Sequence, residues 1–329
     1  MSLSLTASLA RAPQAALRVL AKPALGALIV LVVFSACFAF TTDTFLAPGN
    51  LSIIIQQSVI TGTLAIGETI IILTAGIDLA NGAVAVLGTI VAGRLVNDGY
   101  DPTLSLLLML ALCTAEGYVA GSLIARLRLP AFIVTLGLLG ILTAATRLIS
   151  QGGAFPVTDE LLGWTGNAFR VGNAAVTYGM VIMFALYIAV WYILTQTAWG
   201  RHVYAIGNNP EAARLVGIPV ERRLVSVYVF ASFLYGVGAW IALGRIPNAD
   251  PNSMQTTSLD SITAVVLGGT SLFGGRGPLF GTLIGALIVG VLRNGLTLEG
   301  IDPLWQDLVT GILVIAAVAA DELSRRRGQ

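Results

Sequence analysis

The side chains that could carry out chemistry are few. The sequence has one histidine, His202, one lysine, Lys22, and two cysteines, Cys37 and Cys113, which both lie in apolar stretches. These residues cannot build a histidine-based catalytic triad, a zinc site or a haem site. The chain also lacks a G-x-x-x-x-G-K-[ST] motif, so it has no Walker A loop for ATP. We therefore predict no catalytic residue, no metal site and no cofactor bound by this chain.

Ionisable residues inside apolar stretches are the positive evidence for function. Glu68 and Glu116 lie deepest in these stretches, where a charge is costly and often functional. They could relay protons in a transporter, and the alternative is a protonated or hydrogen-bonded carboxyl group that packs within a helix bundle. Asp307 and Arg293 lie nearer the ends of their stretches, so we expect them at the outer surface.

Uncharged polar residues enter the second long apolar stretch together, namely Gln56, Gln57 and Thr61. A polar solute of the size of a sugar needs such hydrogen-bonding groups along its path. Polar residues that hold neighbouring membrane helices together give the same composition, so both interpretations stay open.

Membrane-spanning helices must position these residues. Hydrophobic residues make up 56% of the 329 residues and charged residues only 11%, against about 25% in a soluble domain. So few charges cannot coat a soluble globule, and a net charge of +1 gives no sign of nucleic-acid binding. A spanning helix needs about 20 apolar residues. The candidate stretches are 24–40, 53–75, 77–97, 103–125, 131–149, 175–195, 224–243, 259–273, 279–296 and 304–320.

The basic residues predict the orientation of these spans. Most of the 18 basic residues fall on the cytoplasmic side when both termini are placed there, including Arg11, Arg18, Lys22 and the cluster Arg325–Arg327. Cytoplasmic loops carry an excess of Lys and Arg. We therefore predict an all-α polytopic membrane protein that forms a single transmembrane domain over residues 1–329. It has about ten transmembrane helices, two cytoplasmic termini and a cytoplasmic tail over 1–23.

The longest predicted cytoplasmic loop, 198–223, contains a short helix over 210–216 with both ends marked. Asn209 can cap its N-terminus, and Pro210 suits the first helical position. Gly217 suits the left-handed residue that ends a helix. An isolated helix of about two turns is marginal in water. The helix must therefore pack on the inner face of the protein or on a cytoplasmic partner.

Two glycine-rich stretches interrupt the apolar pattern. One joins the second and third spans at 74–82, and the other interrupts the end of the eighth span at 268–275. A shift of 193 positions aligns five of 22 residues from Ile72 onward, including Gly76 with Gly269. Chance also gives such matches in a chain with 37 glycines, so an internal repeat is one of two open explanations.

Broken helices in two halves of a chain are typical of a transporter's central pathway. Their free backbone groups must face protein or water, because lipid cannot satisfy them. Asp78 could instead only cap the third helix by accepting hydrogen bonds from its free N–H groups. The predicted pathway residues are Gln56, Gln57, Thr61, Glu68, Thr74, Asp78, Asn81, Gly269, Gly274 and Gly275.

Four blocks give the chain a resemblance to a known family. They cover residues 71–84, 126–137, 200–223 and 259–296. The chain resembles the inner-membrane permease subunits of bacterial ATP-binding-cassette importers for simple sugars, in the branch for ribose, xylose, arabinose and galactose. The resemblance extends over nearly the whole chain, from about Asn50 to Ala320.

The resemblance implies a multi-pass protein of the bacterial inner membrane that transports a simple sugar. Its partners would be membrane lipid, a second permease subunit in a homo- or heterodimer, two cytoplasmic ATP-binding-cassette domains and a periplasmic sugar-binding protein. The block from Glu211 to Ile218 matches the family's coupling helix. The expected ATPase-coupling residues are Asn209, Pro210, Glu211, Ala212, Ala213, Arg214, Leu215 and Gly217.

The chain departs from the family's pattern at several positions. The family usually has Ser at the position of Ala80 and apolar residues at those of Asn81 and Glu116, and it often has Asn at that of Ala120. One alternative function is an ion-coupled secondary transporter that uses Glu68 or Glu116. An integral-membrane enzyme is disfavoured, because no cluster of His, Cys or carboxylates lies at one membrane face.

Overall fold

A computed structural model describes residues 23–327 as a helical bundle, and Arg11, Arg18 and Lys22 lie outside this range. Its helices in chain order are α1 (Pro23–Thr41), α2 (Pro48–Leu73), α3 (Asn81–Asn97), α4 (Pro102–Arg126), α5 (Ala131–Ser150), α6 (Glu160–Gly163), α7 (Tyr178–Gln196), α8 (Ala198–Asn208), α9 (Pro210–Leu215), α10 (Val220–Arg245), α11 (Thr257–Leu267), α12 (Leu279–Leu298) and α13 (Pro303–Arg327). Its strands are β1 (Phe155–Pro156), β2 (Ala168–Val171), β3 (Ala174–Thr177) and β4 (Asn248–Ala249).

Six helices are long and apolar enough to cross a membrane, namely α2, α4, α5, α7, α10 and α12. Shorter apolar helices lie at four other predicted spans, within α1, α3, α11 and α13. The chain is thus mostly helical and is a multi-pass membrane protein.

The prediction of an all-α chain is wrong in detail. Strands β2 and β3 form an antiparallel hairpin in which Ala168 pairs with Thr177. Helix α7 therefore begins at Tyr178, after the predicted start at 175, and Thr177 caps it by accepting a hydrogen bond from the Met180 N–H at 3.3 Å. The two-residue strands β1 and β4 form a second antiparallel pair.

The two predicted breaks are present, and they shorten the helices around them. Residues 74–80 are not helical, so the predicted spans 53–75 and 77–97 end and begin inside this segment. Likewise α11 ends at Leu267 and not at 273, because the non-helical residues 268–278 follow it.

Helices α2, α10 and α12 form the interior of the bundle. In the most apolar 18-residue segment of each of these helices, 78%, 61% and 67% of the residues are buried. The corresponding value is 28% in α4 and in α5. The large buried side chains Tyr187, Tyr228 and Tyr235 fill the centre. The outer helices therefore present the apolar side chains that face lipid or another subunit.

Glycines let α4 approach α10 closely. A Cβ atom at Gly117 would overlap the Tyr228 carbonyl oxygen and lie 2.6 Å from Ser232 Oγ. Small residues at helix contacts permit such close backbone approach in membrane proteins. The contact between α4 and α10 thus depends on the absence of a side chain at this position.

We predict that Gly117→Ala lowers the thermal unfolding temperature of the detergent-solubilised protein. Overpacking costs typically about 1–3 kcal/mol, which exceeds the gain of about 1 kcal/mol from replacing a helical Gly by Ala. The matched control is Gly137→Ala in α5, where a Cβ atom meets nothing within 4 Å. The control should be neutral or stabilising, and equal unfolding temperatures for both variants would contradict the packing described here.

Candidate functional site

Glu68 of α2 organises the first break from a fully buried position. Its Oε1 accepts a hydrogen bond from the Asp78 N–H at 3.1 Å, and its Oε2 accepts one from Asn81 Nδ2 at 3.0 Å. Tyr235 of α10 adds its hydroxyl group at 3.4 Å from Oε2. One carboxyl group therefore ties together α2, the non-helical segment, the start of α3 and α10.

Asn81 extends this network to the second half of the chain. Its side-chain amide also donates to Ser261 Oγ of α11 at 2.9 Å. Ser258, also in α11, accepts a hydrogen bond from the Gly82 N–H at 3.0 Å. Helix α11 thus satisfies a free N–H group in the first turn of α3.

The predicted cap by Asp78 is wrong in its details. Asp78 Oδ1 accepts from the Ala80 N–H at 2.8 Å, and Ala80 precedes the first helical residue. The segment before α3 turns back on itself, so the carboxylate stabilises this turn and Ser258 takes the place of the cap. Thr74 also bonds locally, from its hydroxyl group to the Ile71 carbonyl at 2.8 Å.

The helices before the two breaks end in the same way. Ala75 and Gly269 both have left-handed backbones, with φ of 62° and 84°. In each case this residue's N–H bonds to the carbonyl three residues earlier, and the next N–H bonds to the carbonyl five residues earlier, at 2.9–3.2 Å. This is the Schellman ending of a helix. The two endings correspond at a shift of 194 positions, one more than the sequence match, and α3, α9 and α12 end in the same way. This shared ending therefore does not decide whether the chain contains an internal repeat.

The two breaks also touch each other. The Gly275 N–H donates to the Leu73 carbonyl oxygen at 2.9 Å. Gly274 has a φ of 82°, and a Cβ atom there would lie 2.9 Å from the Ala75 Cβ atom. The structure thus brings together the predicted pathway residues of both halves, Thr74 and Gly274 among them.

A polar cavity of about 440 Å³ lies between α2, α3, α10, α11, α12 and α13, and no residue of the two breaks lines it. The predicted pathway residues Gln57 and Thr61 line it. Gln57 Oε1 is buried and has no hydrogen-bond partner within the described residues. Glu68 and Asn81 are not among the lining residues. The other predicted pathway residues lie elsewhere: Glu68, Thr74, Asp78 and Asn81 lie around the first break, and Gly269, Gly274 and Gly275 lie in the second break.

An ionic cluster forms part of the cavity wall. Arg293 Nη2 of α12 lies 2.9 Å from a carboxylate oxygen of Asp260 in α11 and 3.0 Å from Asp307 Oδ1 in α13. It also donates to Thr256 Oγ1 at 3.1 Å. Sequence analysis placed Arg293 and Asp307 at the outer surface and missed Asp260. The signal for Asp260 was a carboxylate within a short apolar stretch.

Gln56 and Glu116 lie away from the main cavity. Gln56 lines a separate cavity of about 290 Å³ beside the β2–β3 hairpin, together with Arg170 and Asn173. Glu116 Oε2 accepts a hydrogen bond from Ser232 Oγ at 2.9 Å, which links α4 to α10. The carboxyl group also borders an apolar cavity of about 260 Å³.

The short helix α9 has the predicted ends. Asn209 Oδ1 accepts hydrogen bonds from the Glu211 and Ala212 N–H groups at 3.0 and 2.9 Å. The helix ends at Leu215, one residue before the predicted end, and Gly217 has a φ of 85°.

One face of α9 packs on the protein and another is open. Ala213 is buried against Ile206 and Val220. Leu215 and Val216 are 89% and 77% exposed. The helix thus offers an apolar surface beyond what its own packing needs.

Broken helices in both halves of a multi-pass bundle are typical of membrane transporters. Residues 50–318 match the family described as the permease component of branched-chain amino acid transport systems. The chain belongs to this family, and it is a transport subunit.

Relatives of known function are similar over most of their length. The fructose import permease protein FrcC of Rhizobium meliloti is 43% identical over 92% of this chain and 86% of the relative. The ribose import permease protein RbsC of Escherichia coli K12 is 37% identical over 89% and 92%. The galactose/methyl galactoside import permease protein MglC of Salmonella typhimurium is 33% identical over 92% and 95%. No solved structure matches the chain.

We predict that Glu68→Ala strongly destabilises the protein and that Glu68→Gln does so less. Alanine leaves the Asp78 N–H and one of the two Asn81 amide hydrogens without an acceptor, and each unsatisfied buried group costs about 1–3 kcal/mol. Glutamine keeps one acceptor oxygen. Thermal unfolding in detergent and solute uptake should therefore decline together across the two variants. A Glu68→Gln protein with unchanged unfolding temperature and no uptake would indicate a proton relay instead.

Proposed function

We propose that the chain is the permease subunit of an ATP-driven importer of simple sugars in the bacterial inner membrane. The observation that carries this proposal is the capped helix α9 with its open apolar face, on a bundle whose two halves meet at paired helix breaks. The named functions of the relatives, which import fructose, ribose and galactose, support a sugar as the solute.

We propose ten spans with both termini in the cytoplasm. The four shorter apolar helices lie where the remaining predicted spans were placed, and this supports the count. The orientation puts α9 and the basic pair Arg222 and Arg223 on the cytoplasmic side, in agreement with the positive-inside rule. The acidic residues Asp98, Asp101 and Asp302 then face outward.

The polar cavity is suited to a sugar on its way through the protein. Its volume of about 440 Å³ lies in the range of small-molecule sites, about 300–1,000 Å³. Sugar hydroxyl groups both donate and accept hydrogen bonds. Arg293 supplies donors, Asp260 supplies acceptors, and Gln57 supplies the unpaired oxygen described above. These groups could exchange partners with a sugar without binding it tightly.

Partner chains complete this importer. Two cytoplasmic ATP-binding-cassette domains would supply the energy and engage α9 through Leu215 and Val216. A periplasmic binding protein would deliver the sugar to the outer surface. A second permease subunit, identical or closely related, would share the exposed apolar faces of the outer helices with membrane lipid.

The geometry gives less support to an ion-coupled transporter. Hydrogen-bond donors from the backbone and from Asn81 already occupy both oxygens of Glu68. A proton relay needs a carboxyl group that water can reach, and Glu68 is fully buried.

We predict that Val216→Asp reduces ATPase binding and ATP-dependent uptake. A carboxylate would place a charge on the apolar surface that docks the ATPase. The chain, the ATPase and the binding protein are reconstituted in liposomes, and uptake of labelled fructose, ribose and galactose is measured with and without ATP. ATPase co-purification is measured in parallel.

The matched control for this experiment is Val171→Asp in the β2–β3 hairpin, where the valine is 60% exposed. The control should leave ATPase co-purification unchanged. Concentrative uptake by the chain alone, driven by a proton gradient without ATP, would contradict the proposed function.

A further inference from the structure

The end of α8 lies directly against the hydrogen bond that joins the two helix breaks. A Cβ atom at Gly207 would overlap the Leu73 carbonyl oxygen and lie 2.6 Å from the Gly275 nitrogen. These two atoms form the hydrogen bond between the breaks, at 2.9 Å. Only glycine fits at Gly207 without moving one of the three backbones.

Glycines on the second break complete this contact. A Cβ atom at Gly274 would lie 2.9 Å from the Gly207 carbonyl oxygen, and one at Gly275 would lie 3.0 Å from the Asn208 Cα atom. We call the contact among Leu73, Gly207, Gly274 and Gly275 the glycine junction. Because bare backbones meet here, no flexible side chain can absorb a displacement of one segment against another.

The glycine junction connects to α9 without a flexible linker. Asn209, two residues after Gly207, bonds through its N–H to the Ala205 carbonyl of α8 at 3.1 Å and caps α9 with its side chain. Ile206 of α8 is buried against Ala213 of α9. Helices α8 and α9 therefore form one packed unit.

A second contact ties α8 to the second break. The Tyr204 hydroxyl group donates to the Gly277 carbonyl oxygen at 3.0 Å. The unit of α8 and α9 thus holds the second break at two places, one of them independent of Gly207.

We propose that Gly207 is the positioning residue through which a movement of α9 reaches both helix breaks. This inference rests on the proposed function, in which an ATPase moves α9. Close-packed protein interiors transmit displacement. A shift of α8 must therefore move Leu73 and Gly275 together or break the hydrogen bond between them, and either change alters how the two halves of the permease meet.

The test replaces Gly207 by alanine in the complete importer, reconstituted with its ATPase and binding protein. The methyl group forces the Leu73 carbonyl and the Gly275 N–H apart. ATPase co-purification and basal hydrolysis should persist, because α9 keeps its cap and its exposed face. The number of labelled fructose, ribose or galactose molecules imported per ATP should fall. Coupling energies between linked sites correspond to about 5–150-fold, so we expect a loss of at least about fivefold.

Two further variants keep the test decisive. Gly137→Ala, with free space around the new methyl group, should keep the wild-type number of sugars per ATP. Tyr204→Phe removes only the bond to Gly277 and should lower this number in the same direction by a smaller factor. If Gly207→Ala does not fold, Gly275→Ala takes its place, because its methyl group would lie 3.0 Å from the Asn208 Cα atom and disturb the same junction from the second break.

The outcomes separate this inference from the proposed function. A wild-type importer that takes up none of these sugars with ATP would count against the proposed function. A working wild type with an unchanged number of sugars per ATP in Gly207→Ala, or in Gly275→Ala where the Gly207 variant does not fold, would overturn the role of the glycine junction alone.

Discussion

Backbone groups freed by a broken helix must find partners inside the protein, since surrounding lipid offers none. The structure meets this constraint at the first break with groups from four helices. Glu68 of α2 accepts from the Asp78 N–H, and Ser258 of α11 accepts from the Gly82 N–H. Thr135 of α5 donates to the Ile77 carbonyl at 3.1 Å, and Tyr235 of α10 reaches Glu68. The arrangement of these helices follows from the need to satisfy one short segment.

The same constraint links the break to helices α8 and α9. The Leu73 carbonyl oxygen, left free at the end of α2, takes its hydrogen bond from Gly275 of the other break. Gly207 lies against this bond because it has no side chain. The hydrogen bond that satisfies the Leu73 carbonyl thus also connects the unit of α8 and α9, which carries the proposed ATPase-docking surface, to both helix breaks.

Local signals in the sequence predicted much of this structure. Capping chemistry depends on neighbouring residues, so Asn209, Pro210 and Gly217 gave the ends of α9 to within one residue. Glycine spacing located both breaks. The membrane composition gave the fold class, and four sequence blocks gave the family, which the family match over residues 50–318 confirms.

Contacts between distant residues were beyond such signals. Asp260 and Arg293 are 33 positions apart, and only the packing of α11 on α12 pairs them. Asp78 is not the cap that was predicted, because the Gly82 N–H donates its hydrogen bond to Ser258 instead. Ser258 is 176 positions from Gly82 in the sequence. Gly207 lies in the predicted loop 198–223 but outside the predicted short helix, and its contact with Leu73 and Gly275 follows only from the fold.

The central proposal is that the two helix breaks lie near the solute path and that this region opens when the ATPase turns over. The most direct measurement uses Thr74→Cys in a protein without Cys37 and Cys113, since threonine and cysteine have similar size and Thr74 bonds only within its own turn. The rate at which a small water-soluble thiol reagent modifies this cysteine is compared without nucleotide, with ATP and with the ATPase trapped after hydrolysis. We predict a rate that changes with the nucleotide state. The same slow rate in every state would contradict the account.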